Sequence, residues 1–243
     1  MFASLFPAVA AGGPITFDMF GAATAEFEFT LTFATAPVDL FAQGVHNAMT
    51  DQEKRGALLF FGKARCVDCH AVAGRSNEMF SDFQNHCIGV PQIAPAFGNF
   101  PFLGPAEDED FGLEDITGNA KDRYKFRTSP LRNLALQPAF FHNGCFTRLE
   151  DAVRHHLDVK KSARNYDPAA AGVDADLHHV GPIEPVLRRV DSRLKRVDLK
   201  TSEFRDLVQF LRTGLLDPRA LPENLMPLIP DAVPSGRPTL TFE

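Results

Sequence analysis

Apolar positions in the first part of the chain recur at helical spacing. Phe17, Phe20, Phe27 and Leu31 fall on one side of a helix over residues 15–31, with Thr16 placed to cap it, so the pattern predicts a helix packed by its Phe face. Residues 34–44 (ATAPVDLFAQG) read as a turn-rich link. Thr50-Asp51-Gln52-Glu53 has capping-box spacing and opens a helix through Gly56, Leu59 and Phe60 that stops near Gly62. From 71 to 124 the periodicity gives way to Pro, Gly, Phe and short acidic runs, which reads as a long ordered loop wrapped on something. A second box, Thr147-Arg148-Leu149-Glu150, opens a short helix through Leu157. Residues 158–197 are polar. There His178-His179 read as surface residues, and the basic run of Arg188-Arg189 and Arg193-Leu194-Lys195-Arg196 reads as a solvated face, with partner docking as the alternative. Thr201 or Ser202 caps a last helix whose inner face is Phe204, Leu207, Val208 and Leu211, ended by Gly214. The tail after Asp217-Pro218 is Pro-rich and reads as extended, laid over the domain. No repeat or strand-rich region is present. The pattern predicts an all-α fold divided into a leading helix and link (1–45), a main domain (46–216) and a tail (217–243).

One stretch carries chemistry. Arg65-Cys66-Val67-Asp68-Cys69-His70 contains Cys-x-x-Cys-His, the attachment signature of a c-type haem. Each thiol adds to a haem vinyl group, and the adjacent imidazole becomes the proximal iron ligand. A thioredoxin-like dithiol and half of a zinc site compete for the same Cys-x-x-Cys. Neither accounts for the His that follows at once, and a redox dithiol wants a strand where a helix is predicted. Zinc would draw its fourth ligand from His86 or Cys87. Cys87 and Cys145 are left over and read as separate buried thiols, with pairing in an oxidising compartment as the alternative. Arg132 lies in an apolar setting (SPLRNLAL, 129–136), and a buried guanidinium needs an anionic or carbonyl partner, for which a haem propionate is one answer. The acidic run 107–110 reads as solvated charge rather than a calcium cluster, because it lacks EF-hand spacing.

With 243 residues, 44% of them hydrophobic, the chain can bury a substantial core. A net charge of −6 with acids and bases interspersed gives no reason to expect nucleic acid or an anionic membrane as partner. No apolar run approaches the roughly 20 residues that span a bilayer. Residues 1–13 are apolar but carry no Lys or Arg, and Pro7 interrupts them, so they do not read as a secretory signal. Covalent haem attachment implies export, so a periplasmic location is expected, with the signal on a segment upstream of this chain.

Four strings together resemble the bacterial di-haem cytochrome c peroxidase family, which includes the methylamine-utilisation di-haem enzymes. They are RGALLFFGKARCVDCH (55–70), FSDFQNHCIGVP (80–91), DFGLEDITGNAKDRYKFRTSPLRNLALQPAFFHNG (110–144) and TRLEDAVRHH (147–156), in family order along nearly the whole chain. The resemblance implies a cytochrome c-like haem domain matching the family's second, electron-transfer domain. The family's peroxidatic haem, catalytic carboxylate and bridging Trp belong to its first domain, whereas this chain has one Cys-x-x-Cys-His and no Trp. The function implied is a haem c module for hydrogen peroxide reduction, fed by a small electron donor of cytochrome or cupredoxin type and working with a second haem-bearing domain or chain. The alternatives are an oxidase of the cofactor-maturing branch, a stand-alone mono-haem carrier and a zinc-stabilised binding domain.

The same resemblance implies site residues, though no catalytic one. A family calcium ion held partly by backbone carbonyls near an FRT-x-P segment maps onto Thr128 and Pro130. His86 and His142 match positions near the haem pocket, with structural hydrogen bonding as their expected role. The family's sixth iron ligand is a Met or Tyr on the short helix after the Phe-His-x-Gly turn, and aligning on Leu-Glu-Asp-Ala-Val places His156 there. Helix geometry agrees: Leu149, Ala152, Val153 and Leu157 share a face with His156, and His155 is expected beside Asp151 on the polar flank. The expected iron ligands are His70 and His156, with His155, His86 and Met79 as alternatives to the latter.

Overall fold

The computed structural model describes residues 1–74, 78–95 and 108–239. The chain forms two compact units, one of residues 35–217 and one of residues 1–34 with the residues from 218 onward. Its principal helices are α1 (Phe17–Thr30), α2 (Pro37–Ala42), α3 (Asp51–Phe61), α4 (Leu113–Thr117), α5 (Leu149–Leu157), α6 (Val159–Arg164) and α7 (Thr201–Gln209). Strands are two residues long: β1 (Asn85–His86) pairs antiparallel with β3 (Phe126–Arg127), and β2 (Ile93–Ala94) with β4 (His179–Val180). The fold is all-α, as expected.

The larger unit is built on the α3–α7 pair. The capping box opens α3 as its spacing dictates: Thr50 Oγ1 accepts from the Glu53 amide (3.2 Å) and the Thr50 amide donates to Glu53 Oε2 (2.7 Å). At α7 neither Thr201 nor Ser202 is the cap. The N-cap is Lys200, whose amide donates to Glu203 Oε2 at 2.7 Å, so the reciprocal half of the box alone fixes the start. The helices meet at Gly56, where a Cβ would lie 2.1 Å from the Asp206 carbonyl oxygen. Around this seam Phe60, Leu207, Phe210 and Leu215 are fully buried, and a π-helical turn, Phe210–Gly214, ends the helix at the expected glycine. The ends of the unit are tied where buried Asp217 accepts from the Thr35 amide (2.8 Å) and hydroxyl (2.9 Å).

Several expectations need correction. The link at 34–44 contains α2, because Pro37 sits at its first turn and Asp39 Oδ2 accepts from the Ala36 amide at 2.9 Å. The 71–124 stretch is not wholly loop, since it carries β1, β2 and α4; its residues 75–77 and 96–107 lie outside the described residues. In the acidic run, Glu107 is likewise outside them, and the rest is drawn into structure: Glu109 Oε1 accepts from the Tyr124 hydroxyl (2.5 Å) and Asp110 Oδ1 from the Gly112 amide (2.7 Å). The second capping box does not form. Arg148 is the N-cap of α5, and the Thr147 hydroxyl instead donates to the Ala171 carbonyl at 2.7 Å.

In the smaller unit α1 is capped by Thr16, which accepts from the Met19 amide at 3.2 Å, but its Phe face is not packed. Phe17 is 85% and Phe29 71% exposed, and no residue of α1 is buried. The tail is not simply extended either, because Pro218–Ala220, Pro222–Leu225 and Met226–Leu228 form short helical turns.

Candidate haem site

The Cys-x-x-Cys segment forms one tight helical turn over Cys66–Asp68, entered through Arg65 in the left-handed region (φ 60°). The His70 amide closes it on the Cys66 carbonyl at 2.8 Å. Neighbours pin it from outside: the Asp82 amide donates to the Cys69 carbonyl (2.8 Å), and Arg193 to the Asp68 carbonyl (3.2 Å). Both thiols are free and partly buried, and burial pushes Cys66 up to about 12 and Cys69 up to about 11, so both are neutral thiols. His70 Nδ1 donates to the Phe80 carbonyl at 2.9 Å, with its ring beside the cluster of Phe60, Phe80 and Phe210. Burial, helped by neighbouring His156, pushes the His70 imidazole down to about 4, so it is neutral at pH 7.

The structure brings His156 to His70. Their ring centroids are 6.3 Å apart with planes at 60°. His156 Nδ1 donates to the Ala152 carbonyl one turn back in α5 (2.8 Å), and its ring stacks on Phe141 at 5.3 Å. Burial lowers its pKa as well. Neither ring's Nε2 has a hydrogen-bond partner among the described residues.

His155 is not on a polar flank. It is fully buried, with Nε2 2.9 Å from the Ile88 carbonyl and Nδ1 3.2 Å from the Ser162 hydroxyl, because α5 is covered on a second side by residue 88 and by α6. Both its nitrogens are engaged.

Arg132 finds its anion inside the chain. Its guanidinium meets Asp39 at 2.5 Å and donates twice to the Glu78 carbonyl (2.7 and 3.0 Å), so no propionate is needed to neutralise it. His142 stacks on Phe126 (3.4 Å, planes 6° apart) 3.8 Å from Asp110, and burial pushes it down to about 4. His86 is held between Asp82 and Asp191, both at 2.9 Å, with Arg193 at 2.7 Å. The Thr128 carbonyl accepts from the Ser81 hydroxyl at 2.7 Å. Cys145 and Cys87 are separate buried thiols, and Cys87 donates to the Val186 carbonyl (3.6 Å). The His86, Asp82 and Cys69 ligand atoms lie within 4.8 Å of one another, but Cys66 is not of that group, so among the described residues no zinc set built on both cysteines is assembled.

Phe141 and the carbonyls of Phe80 and Ala152 are site groups that sequence reasoning missed. Phe141 lies in the Phe-Phe-His-Asn-Gly turn that the sequence does mark, at φ 68°; Phe80 is also in the left-handed region, at φ 56°.

An all-α fold closed around a Cys-x-x-Cys-His turn is that of a cytochrome c-like haem domain. No family model matches the chain. Individual relatives do. A cytochrome-c peroxidase IdrP1 of Pseudomonas sp. is 35% identical over 134 residues, 48% of this chain and 34% of the relative. A cytochrome c551 peroxidase of Pseudomonas aeruginosa is 31% identical over 143 residues, 59% of this chain and 38% of the relative. The methylamine utilization protein MauG of Methylorubrum extorquens is 30% identical over 200 residues, 82% of this chain and 45% of the relative. The crystal structure of a MauG-like protein associated with microbial copper homeostasis superposes with a TM-score of 0.59 at 25% identity, covering 87% of this chain and 61% of that one. The chain belongs to the family of di-haem cytochrome c peroxidases and MauG. It spans less than half the length of these curated relatives.

Proposed function

We propose that this chain is the electron-accepting haem c module of a di-haem peroxidase, with its iron held between His70 and His156. The observation that carries this reading is the pair of imidazoles 6.3 Å apart, each with Nδ1 donating to a carbonyl and Nε2 without a hydrogen-bond partner among the described residues. Two metal–nitrogen bonds of about 2 Å plus two ring radii span about that distance. A carbonyl on the far nitrogen is how metal-bound histidines are ordinarily oriented.

The donor set fits the group. Cys66 and Cys69 would hold it through thioethers, each S–H having added across a vinyl group with sulfur on one carbon and hydrogen on the other. Bound haem supplies a reversible one-electron iron couple. The Phe80 and Ala152 carbonyls keep each ring proton on Nδ1, burial keeps both rings neutral, and Phe141 fixes the plane of His156. With His70 and His156 as its protein donors to the iron, the module would pass electrons from a small periplasmic donor towards a peroxide-reducing haem on another domain or chain. The test is a visible spectrum, oxidised and dithionite-reduced, with a pyridine haemochrome assay. One haem c per chain is expected, and absence of a c-type α-band sinks the reading.

A further inference from the structure

The chain is acidic as a whole, yet one face gathers cations. Residues 188–196 hold five basic side chains and one acid, and they meet Lys160 and Arg164 of α6 across a cleft of about 650 Å³. The acids of that cleft are already paired: Glu184 with Arg164 at 2.8 Å, Asp191 with Arg193 at 2.8 Å and Asp158 with Arg196 at 3.6 Å. Lys160, Arg188 and Lys195 are exposed and have no ion-pair partner among the described residues; with Arg196 also paired to Asp198 at 2.7 Å, the local surplus is two positive charges. Exposed surplus charge of one sign in a concave site steers and holds a partner of the other sign.

The position of this cleft gives the charge a use. Val159 at the start of α6 follows His156 by three residues, and Arg193 reaches the Asp68 carbonyl inside the Cys-x-x-Cys turn at 3.2 Å. The Asp191 amide donates to the carbonyl of Cys87 (2.9 Å), the residue after the strand that places His86 beside Cys69. The cleft is therefore built on chain that runs on from, or packs against, both haem-anchoring elements.

We propose that this cleft docks the carboxylate-rich face of a small one-electron donor protein and is the side from which electrons enter, a route that rests on the haem reading above. Per encounter the donor's reduced centre loses one electron and the ferric iron gains it, with no atom transferred.

The test has a binding arm and a redox arm. Fluorescein-labelled decaglutamate is titrated with the haem-loaded protein and anisotropy is read. Binding is expected to weaken with salt and to fall at least about tenfold in K160E/R188E/K195E. The exposed K121E, a charge change elsewhere, is expected to leave it within about twofold. In the redox arm the ferrous protein is oxidised by ferricyanide and, separately, by the tris(phenanthroline)cobalt(III) cation. The triple variant is expected to slow the anion and speed the cation. K160E alone serves if the triple variant loses its α-band, and the salt dependence of the unmodified protein needs no variant. Equal peptide binding by variant and parent, or equal losses in K121E, overturns the cleft as the docking site while the α-band still stands. Absence of the α-band overturns the haem reading and the entry route with it.

Discussion

Gly56→Ala tests whether the α3–α7 seam is as close as it looks. By helix propensity alone the change should stabilise, since Ala is better than Gly inside a helix by about 1 kcal/mol. The structure predicts the opposite sign. The added methyl would sit 2.1 Å from the Asp206 carbonyl oxygen and 2.6 Å from Phe210 Cβ. Both are parts of the opposing helix that no side-chain rotation can move. Restoring ordinary contact requires α7 to shift by roughly 1 Å, and a gap of that size forfeits about a quarter to a half of the dispersion at each contact it opens. The contacts at risk include those of fully buried Phe60, Leu207 and Phe210. Overpacking of this kind costs about 1–3 kcal/mol, at its upper end here because backbone is the obstacle, so the net destabilisation is about 2 kcal/mol. In a chain of this size that lowers Tm by about 4–8 °C. Thermal unfolding of the haem-loaded protein, followed by far-ultraviolet circular dichroism, measures it. A Tm equal to or above the parent's would refute the close approach and leave propensity as the only effect.

Four further outcomes are expected. Cys66→Ala or Cys69→Ala should leave most of the chain unfolded or proteolysed, because the haem would be a large part of what the loops enclose; recovery of a cooperatively unfolding apoprotein argues against that. His156→Ala should convert a low-spin ferric electron paramagnetic resonance signal to high spin, and an unchanged low-spin signal means another residue binds the iron. The isolated chain should turn over peroxide poorly with a reduced donor, since that chemistry needs an open iron position with an acid–base group beside it; ordinary enzymatic rates would show a five-coordinate iron. Asp191→Asn should flatten the acid limb of stability: Arg193 holds the Asp191 carboxyl well below its usual range, so the stabilisation is full above about pH 4 and fades as pH falls towards the depressed folded value. A denaturant midpoint followed from pH 5 to pH 2 that is identical in parent and variant would contradict this.

How far the fold was legible depended on whether the information was local. The α3 box and the tight turn after it are encoded within a few residues, and both form where the sequence puts them. The helical pattern of α1 marks a face but says nothing of what covers it, and Phe17, Phe20, Phe27 and Phe29 are exposed. A helical wheel assumes one buried side, which is why it misplaced His155: α5 is buried on a second side by partners up to 67 residues away in sequence. Arg132 shows the same limit from the side of electrostatics. Its apolar setting required an anion, but that the anion is Asp39, 93 residues earlier, is a fact of the fold alone.

The proposed ligation sets two effects on the iron against each other. An imidazole in place of a thioether lowers the reduction potential. The surroundings of His70 pull the other way: Phe60 and Phe210 are fully buried and Phe80 nearly so, and an apolar wall disfavours the oxidised iron, which carries one more positive charge. Lys160, Arg188 and Lys195 add to that pull at longer range, weakened by salt because all three are exposed. Direct bonds to the metal outweigh a screened field, so the low-potential tendency of two imidazoles wins, moderated rather than cancelled by the core. On this balance the proposed module would be easily kept oxidised, and the proposed docking cleft would serve chiefly to speed the donor's arrival, a kinetic role that leaves the driving force to the ligands.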